Sequence, residues 1–201
     1  MVICIFERKT ERVLYFCRHK IQSRKIAHHI SLRIFRASCI VNRVPLMLNP
    51  GDIAPDFALR ASDKSLVKLS EQRGKNIVLL FFPFAFTGVC TKELGYLRDN
   101  LADYENLDAQ ILAVSVDSPY ALAKWKEEQQ FNFPMLSDFN KTASKKYGSL
   151  YKEFGLGLKG VSKRSAFVID KEGIVRYAEV LENAGELPNF DAVKKILQSL
   201  N

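Results

Sequence analysis

The run Ile77-Val78-Leu79-Leu80-Phe81-Phe82 carries no polar residue on either of its alternating faces. A strand of that wording must be covered on both sides, the condition of a central strand in an α/β sheet. Further strands are expected at 57–60, 66–69, 111–116 and 133–136. Helices are expected from near Gly88 through 104, with Leu94, Leu97 and Leu101 at helical spacing, at 121–130 around Trp125, at 141–147 and at 191–200. Segments 165–169 and 174–180 flank Asp170-Lys171-Glu172-Gly173, a four-residue hairpin loop. Strands alternating with helices and closing on an antiparallel hairpin predict an α/β fold, with a mixed central β-sheet flanked by helices. The longest apolar run, 77–86, has ten residues and includes Pro83. That is far short of the ~20 a membrane-spanning helix requires, so no membrane association is expected.

The net charge of +8 is unevenly placed. Residues 1–46 hold ten Lys/Arg against Glu7 and Glu11, which leaves twenty basic and twenty acidic side chains in 47–201. The neutral body presents no basic stripe, so nucleic acid is not an expected partner. The first segment has no Gly, and Glu7-Arg8-Lys9 interrupts its apolar start as no secretory signal core would be interrupted. It reads as a basic N-terminal extension, either disordered, an organelle-targeting peptide, or an over-long gene start with the natural one at Met47. Residues 47–201 read as one domain.

Cysteine and histidine divide the same way. Cys4, Cys17, Cys39 and all three histidines fall in 1–46, in no zinc spacing, and the body keeps Cys90 alone. A single cysteine builds no disulfide framework, which fits a reducing compartment and a cytoplasmic protein, or an organellar one if 1–46 is a targeting segment. Without histidine in the body, Cys-His and Ser-His pairs are excluded there. Any activation of Cys90 must come from other groups.

The sequence around Cys90 supplies candidates. Phe82-Pro83-Phe84-Ala85-Phe86-Thr87-Gly88-Val89-Cys90-Thr91-Lys92-Glu93 reads as strand end, short loop and helix start. Cys90 then falls in the first helical turn, where unpaired N–H groups and the positive end of the helix dipole favour a thiolate. Thr87 is placed to cap the helix and to reach the sulfur or a bound oxygen. Pro83 lacks a backbone donor and can wall one side of the pocket.

Pro83-x-x-x-Thr87-x-x-Cys90 resembles the signature of the peroxiredoxins, and the span from about Asn49 to Asn201 is similar to that family throughout. The wording Phe-Phe-Pro-x-Ala-Phe-Thr-Gly-x-Cys resembles the alkyl hydroperoxide reductase E and bacterioferritin-comigratory groups most closely. Asp56-Phe57 and Arg164 before a strand also recur in place. The resemblance implies a thioredoxin-like fold and a thiol-dependent peroxidase that reduces hydrogen peroxide and organic hydroperoxides. It implies that Cys90 is the peroxidatic nucleophile and passes through a sulfenic acid. Thr87 would bind the peroxide, Arg164 would stabilise the thiolate and the developing oxyanion, and Glu93 would orient Arg164. A homodimer is likewise implied, and no metal, flavin or nicotinamide.

Many relatives carry a second, resolving cysteine, often five residues on, where this chain has Gly95. No cysteine follows Cys90, so a one-cysteine cycle is expected, with an external thiol (thioredoxin, glutaredoxin or a low-molecular-weight thiol) as reductant. Cys17 or Cys39 would resolve only if the extension reached the pocket. Blander readings stand beside these: Cys90 as a buried apolar residue, Thr87 as a cap alone, Arg164 as a surface charge beside Lys159 and Lys163, and Glu93 as an ordinary first-turn acid. A thioredoxin-type reductase would need a cysteine where Glu93 stands, whereas a peroxide sensor would begin with the same oxidation. Gly155-x-Gly157-x-x-Gly160 spells a dinucleotide fingerprint without a strand before it or a helix at its glycines, so a loop is expected there.

Overall fold

The computed structural model describes residues 47–201, and the expectations for the extension, including Cys17 and Cys39, lie outside the described residues. Seven strands form one sheet: β1 Ala58–Ala61, β2 Leu66–Lys68, β3 Asn76–Phe81, β4 Ala109–Ser115, β5 Met135–Ser137, β6 Ser165–Ile169 and β7 Val175–Val180. Their order is β2-β1-β5-β4-β3-β6-β7. β4 runs parallel to both β3 and β5. β6 lies antiparallel on the other side of β3 and turns into β7. The sheet is therefore mixed, as the alternation predicted.

Every residue of β3 is buried, because each of its faces meets a separate apolar layer. Val78, Leu80 and Phe82 pack with Leu94, Leu97, Trp125, Val193 and Leu197. These belong to α1 Gly88–Asp99, α3 Pro119–Gln129 and α5 Phe190–Ser199. Ile77, Leu79 and Phe81 face the other way, into a layer with Phe57, Leu112, Tyr147 and Phe167. The period-two split of one continuous apolar run thus serves two cores at once.

Local chemistry sets the element ends. Ser118 accepts from the Ala121 N–H at 3.2 Å and caps α3, with Pro119 as its first residue. The helix expected to run unbroken through 104 divides at Asn100 into α1 and α2 Leu101–Glu105. The Asn100 side chain donates to the Tyr96 carbonyl at 2.8 Å, the competition with backbone pairing that makes Asn a poor mid-helix residue. Asp138, 1% exposed, accepts four hydrogen bonds from Thr142, Ala143 and Ser144, and so anchors α4 Thr142–Lys146. In the hairpin the second strand starts one residue late, at Val175, because Ile174 bridges Ile53 and its N–H donates to the Asp170 carboxylate. Gly155–Gly157 forms a single tight turn closed by a Phe154–Leu158 pair. With no strand leading in and no helix leading out, these glycines lack the geometry of a dinucleotide site.

Leu80 is fully buried at the centre of the helix-facing layer. Leu80→Ala is expected to lower unfolding free energy by about 2–5 kcal/mol, read from urea denaturation, with an unchanged midpoint as the contrary result.

Candidate active site

β3, β4 and β6 bring three chain segments together at one edge of the sheet. β3 and β4 are parallel and end side by side, Phe81 opposite Val114, while β6 enters antiparallel with Ser165 opposite Phe81. The loop after β3, the loop after β4 and the residue before β6 therefore converge. This is the crevice at strand ends where open α/β sheets place their chemistry.

The loop after β3 runs from Pro83, which is buried, to Thr87, the N-cap residue of α1. Phe86 within it adopts φ +61°, a strained conformation for an aromatic residue. Asp117, just beyond β4, holds the loop: its Oδ2 accepts from the Ala85 N–H at 2.8 Å and from Ser115 Oγ at 2.9 Å. Cys90 is the third residue of α1, in the first turn as the sequence predicted.

Two expectations need correction. Thr87 occupies the N-cap position, yet its side chain accepts from no helical N–H; its Oγ1 donates to the Phe84 carbonyl at 3.0 Å instead. The hydroxyl thus braces the loop rather than capping the helix, because the tight turn ahead of it offers a closer acceptor. The sulfur also lies deeper than the lining of an open pocket would. Cys90 is 1% exposed and belongs to the apolar layer of Phe82, Ala85 and Leu94. Surface hollows lined by Lys75, Glu105 and Asn132, and by Arg60, Ser118 and Asp138, do not include it.

The sulfur is nonetheless not in plain hydrocarbon. Arg164, immediately before β6, is 1% exposed and sends its guanidinium to Cys90, with Nη2 3.4 Å from Sγ. Nη1 donates to Glu93 Oε2 in a fully buried ion pair. Nε and Nη2 both donate to the Ala184 carbonyl, at 3.3 and 2.9 Å. Cys90, Glu93 and Arg164 are thereby gathered in one buried cluster, while in the loop leading to α1 Pro83 is buried and Thr87 exposed. Glu93 is not the exposed first-turn acid of the bland reading, and Arg164 is not a surface charge.

Burial pushes the Glu93 carboxyl up to about 7, against the pull of the Arg164 guanidinium. Burial alone would lower Arg164, but Glu93 and Cys90 outweigh it and hold the guanidinium above its already high ordinary value. A permanently charged group with directional donors at the sulfur stabilises negative charge there and on an oxygen bound beside it. Asp117 and Ala184 were not anticipated. Asp117 follows a buried strand at a crevice position, which is a usable signal. Ala184 contributes only a carbonyl, for which a side-chain motif carries none.

The chain matches the AhpC/TSA family over residues 50–178. Alkyl hydroperoxide reductase E of Mycobacterium tuberculosis is 44% identical over 144 residues, 70% of this chain and 90% of the relative. The chain belongs to the peroxiredoxins. The chloroplastic 2-Cys peroxiredoxin BAS1 of Spinacia oleracea is 34% identical over 181 residues, 85% of this chain and 65% of that protein. The crystal structure of peroxidoxin BcpB from Mycobacterium tuberculosis superposes with a TM-score of 0.68 at 28% identity, covering 77% of this chain and 99% of that one. A peroxiredoxin-like protein from Aquifex aeolicus gives 0.70 at 30%, covering 77% and 89%. The mixed sheet flanked by helices is the thioredoxin-like α/β fold of these structures, and this peroxiredoxin is a thiol-dependent peroxidase.

The Glu93–Arg164 pair makes stability depend on pH in a defined direction. With its folded value raised from 4.5 to about 7, Glu93 binds more protons in the folded than in the unfolded peroxiredoxin between those limits. Its contribution is greatest below 4.5 and is lost as pH rises through about 7. Relative to Glu93→Gln, the wild type is expected to lose stability between about pH 5 and about pH 8 in urea titrations. A constant difference at the two pH values would contradict this.

Proposed function

We propose that residues 47–201 form the catalytic unit and that Cys90 is the peroxidatic nucleophile, reducing hydrogen peroxide and organic hydroperoxides. The observation that carries the reading is the buried contact between Arg164 Nη2 and Cys90 Sγ at 3.4 Å. In the reaction the thiolate attacks one peroxide oxygen along the O–O axis. An S–O bond forms as the O–O bond breaks, and the departing oxygen takes a proton and leaves as water or alcohol. The sulfur is oxidised to a sulfenic acid and the peroxide is reduced. Arg164 stabilises the charge that moves from sulfur to the leaving oxygen, and Glu93 orients Arg164. Thr87, exposed at the start of α1, binds the incoming peroxide, and Pro83 walls the pocket.

The cycle closes by a one-cysteine route. No residue after Cys90 is a cysteine, so an external thiol attacks the sulfenic acid, forms a mixed disulfide and releases water. A second thiol equivalent then restores Cys90. Thioredoxin, glutaredoxin and low-molecular-weight thiols all supply this chemistry. The family supports a homodimer, and the lone body cysteine supports a reducing, cytoplasmic setting.

Stopped-flow oxidation by hydrogen peroxide and by an organic hydroperoxide tests the assignment. Cys90→Ser is expected to abolish the reaction, and Arg164→Ala to slow it by about 10²–10³-fold, the usual loss when a charge-stabilising donor is removed. A full-length chain with Cys4, Cys17 and Cys39 all changed to Ser is expected to turn over with an external thiol at the wild-type rate. Loss of turnover in that chain would show that one of them resolves the sulfenic acid.

A further inference from the structure

The third support of Arg164 is a backbone carbonyl on an exposed segment, whose start is tied by the Leu181 N–H donating to the Arg164 carbonyl at 2.9 Å. Residues 181–189 connect β7 to α5 without regular structure, and Glu182, Asn183, Gly185 and Glu186 are exposed. Yet Ala184 in this strap accepts two of the guanidinium's hydrogen bonds. A carbonyl on an exposed strap can fix a buried side chain only if something fixes the strap.

Tyr151 provides a tie nearer Ala184 than the Leu181 bond does. Its hydroxyl donates to the Glu182 carbonyl at 3.1 Å, two residues before Ala184. Tyr151 is itself immobilised by the ribbon that delivers Arg164. Its N–H donates to the Val161 carbonyl at 2.9 Å, and the Lys163 N–H donates to the Ser149 carbonyl at 2.9 Å. Behind them, the buried Ser165 hydroxyl donates to Ser149 Oγ at 2.8 Å. Lys163 braces the same point, with Nζ on the Glu182 carboxylate and 5.6 Å from the centre of the Tyr151 ring. The ring also packs on Phe154, which packs on Phe84 of the loop before Cys90.

We propose that Tyr151 is a positioning residue for the peroxidase reaction: its hydroxyl holds the 181–186 strap so that the Ala184 carbonyl keeps Arg164 against Cys90. The inference rests on the reading of Cys90 as the peroxidatic nucleophile. Tyr151 touches no reacting atom and acts through Arg164. The phenol spans the gap between two pieces of chain that both contact Arg164, the ribbon before it and the strap over it. Removing the hydroxyl loosens the strap at Glu182 while leaving the ring, and with it the aromatic contacts, in place.

The test is a double-mutant cycle on the second-order rate of oxidation by hydrogen peroxide, using the full chain. Tyr151→Phe is expected to slow oxidation by about three- to tenfold, the effect of one lost neutral hydrogen bond. In the Arg164→Ala background the same change is expected to alter the rate by less than about twofold, because the group it acts through is gone. A merely structural role would slow both backgrounds alike, and that result, or no slowing in the wild-type background, overturns the proposal. Asn183→Ala provides a second route to the strap, since Asn183 Oδ1 accepts from the Gly185 N–H at 2.9 Å and Nδ2 donates to Glu186 at 3.0 Å. It is expected to show the same dependence on Arg164, and it decides the matter if Tyr151→Phe fails to fold. A wild type unreactive toward peroxide would instead refute the nucleophile assignment itself.

Discussion

Removing a guanidinium from water is expensive unless nearly all of its donors find partners and its charge finds an opposite one. Arg164 meets that demand with three groups from two parts of the chain: Cys90 and Glu93, both on α1, and Ala184 on the strap after β7. Two of the three are strong acceptors and would suffice to anchor the side chain. The third is a sulfur, a weak acceptor when protonated and a much better one when ionised. In the proposed mechanism, placing a fixed cation against a sulfur is what gives a buried ion pair a role in reaction.

The scaffold supplies what the pair needs. β3, buried on both faces, carries the chain to the crevice, and the parallel β4 carries Asp117 to the same edge. Asp117 fixes the Pro83–Thr87 loop through the Ala85 N–H and so sets where α1 begins. Because Cys90 and Glu93 lie three residues apart on α1, one face of that helix presents both sulfur and carboxylate to Arg164. Antiparallel β6, entering opposite Phe81, brings Arg164 to meet them. The site therefore depends on long-range sheet register more than on any local motif.

That dependence explains what was legible beforehand. The strand wording of 77–82 and the Pro-loop-Gly transition after it predicted the central strand and the position of Cys90 on its helix, because both follow from local pattern. The missing histidine directed attention to Arg164, and the family resemblance supplied its expected place. The side-chain bond of Thr87 is not legible in the sequence, because a helix cap and a loop brace use the same residue type at the same position, and only the path of the loop chooses between them. The Asn100 break was hidden by leucines whose spacing continues across it. Ala184 had no side-chain signal, and the burial of Cys90 arises from tertiary packing that periodicity does not report.

The central claim is that the shape of the guanidinium, and not its charge alone, prepares Cys90 for peroxide. Arg164→Lys keeps a cation at the position but cannot reach Glu93, Ala184 and Sγ together from one ammonium nitrogen. The most direct measurement is the second-order rate of peroxide reaction of this variant, with folding checked by circular dichroism. The expected result is a folded protein that reacts at least about tenfold more slowly than wild type, as lost bidentate geometry implies. A folded lysine variant reacting at the wild-type rate would contradict it.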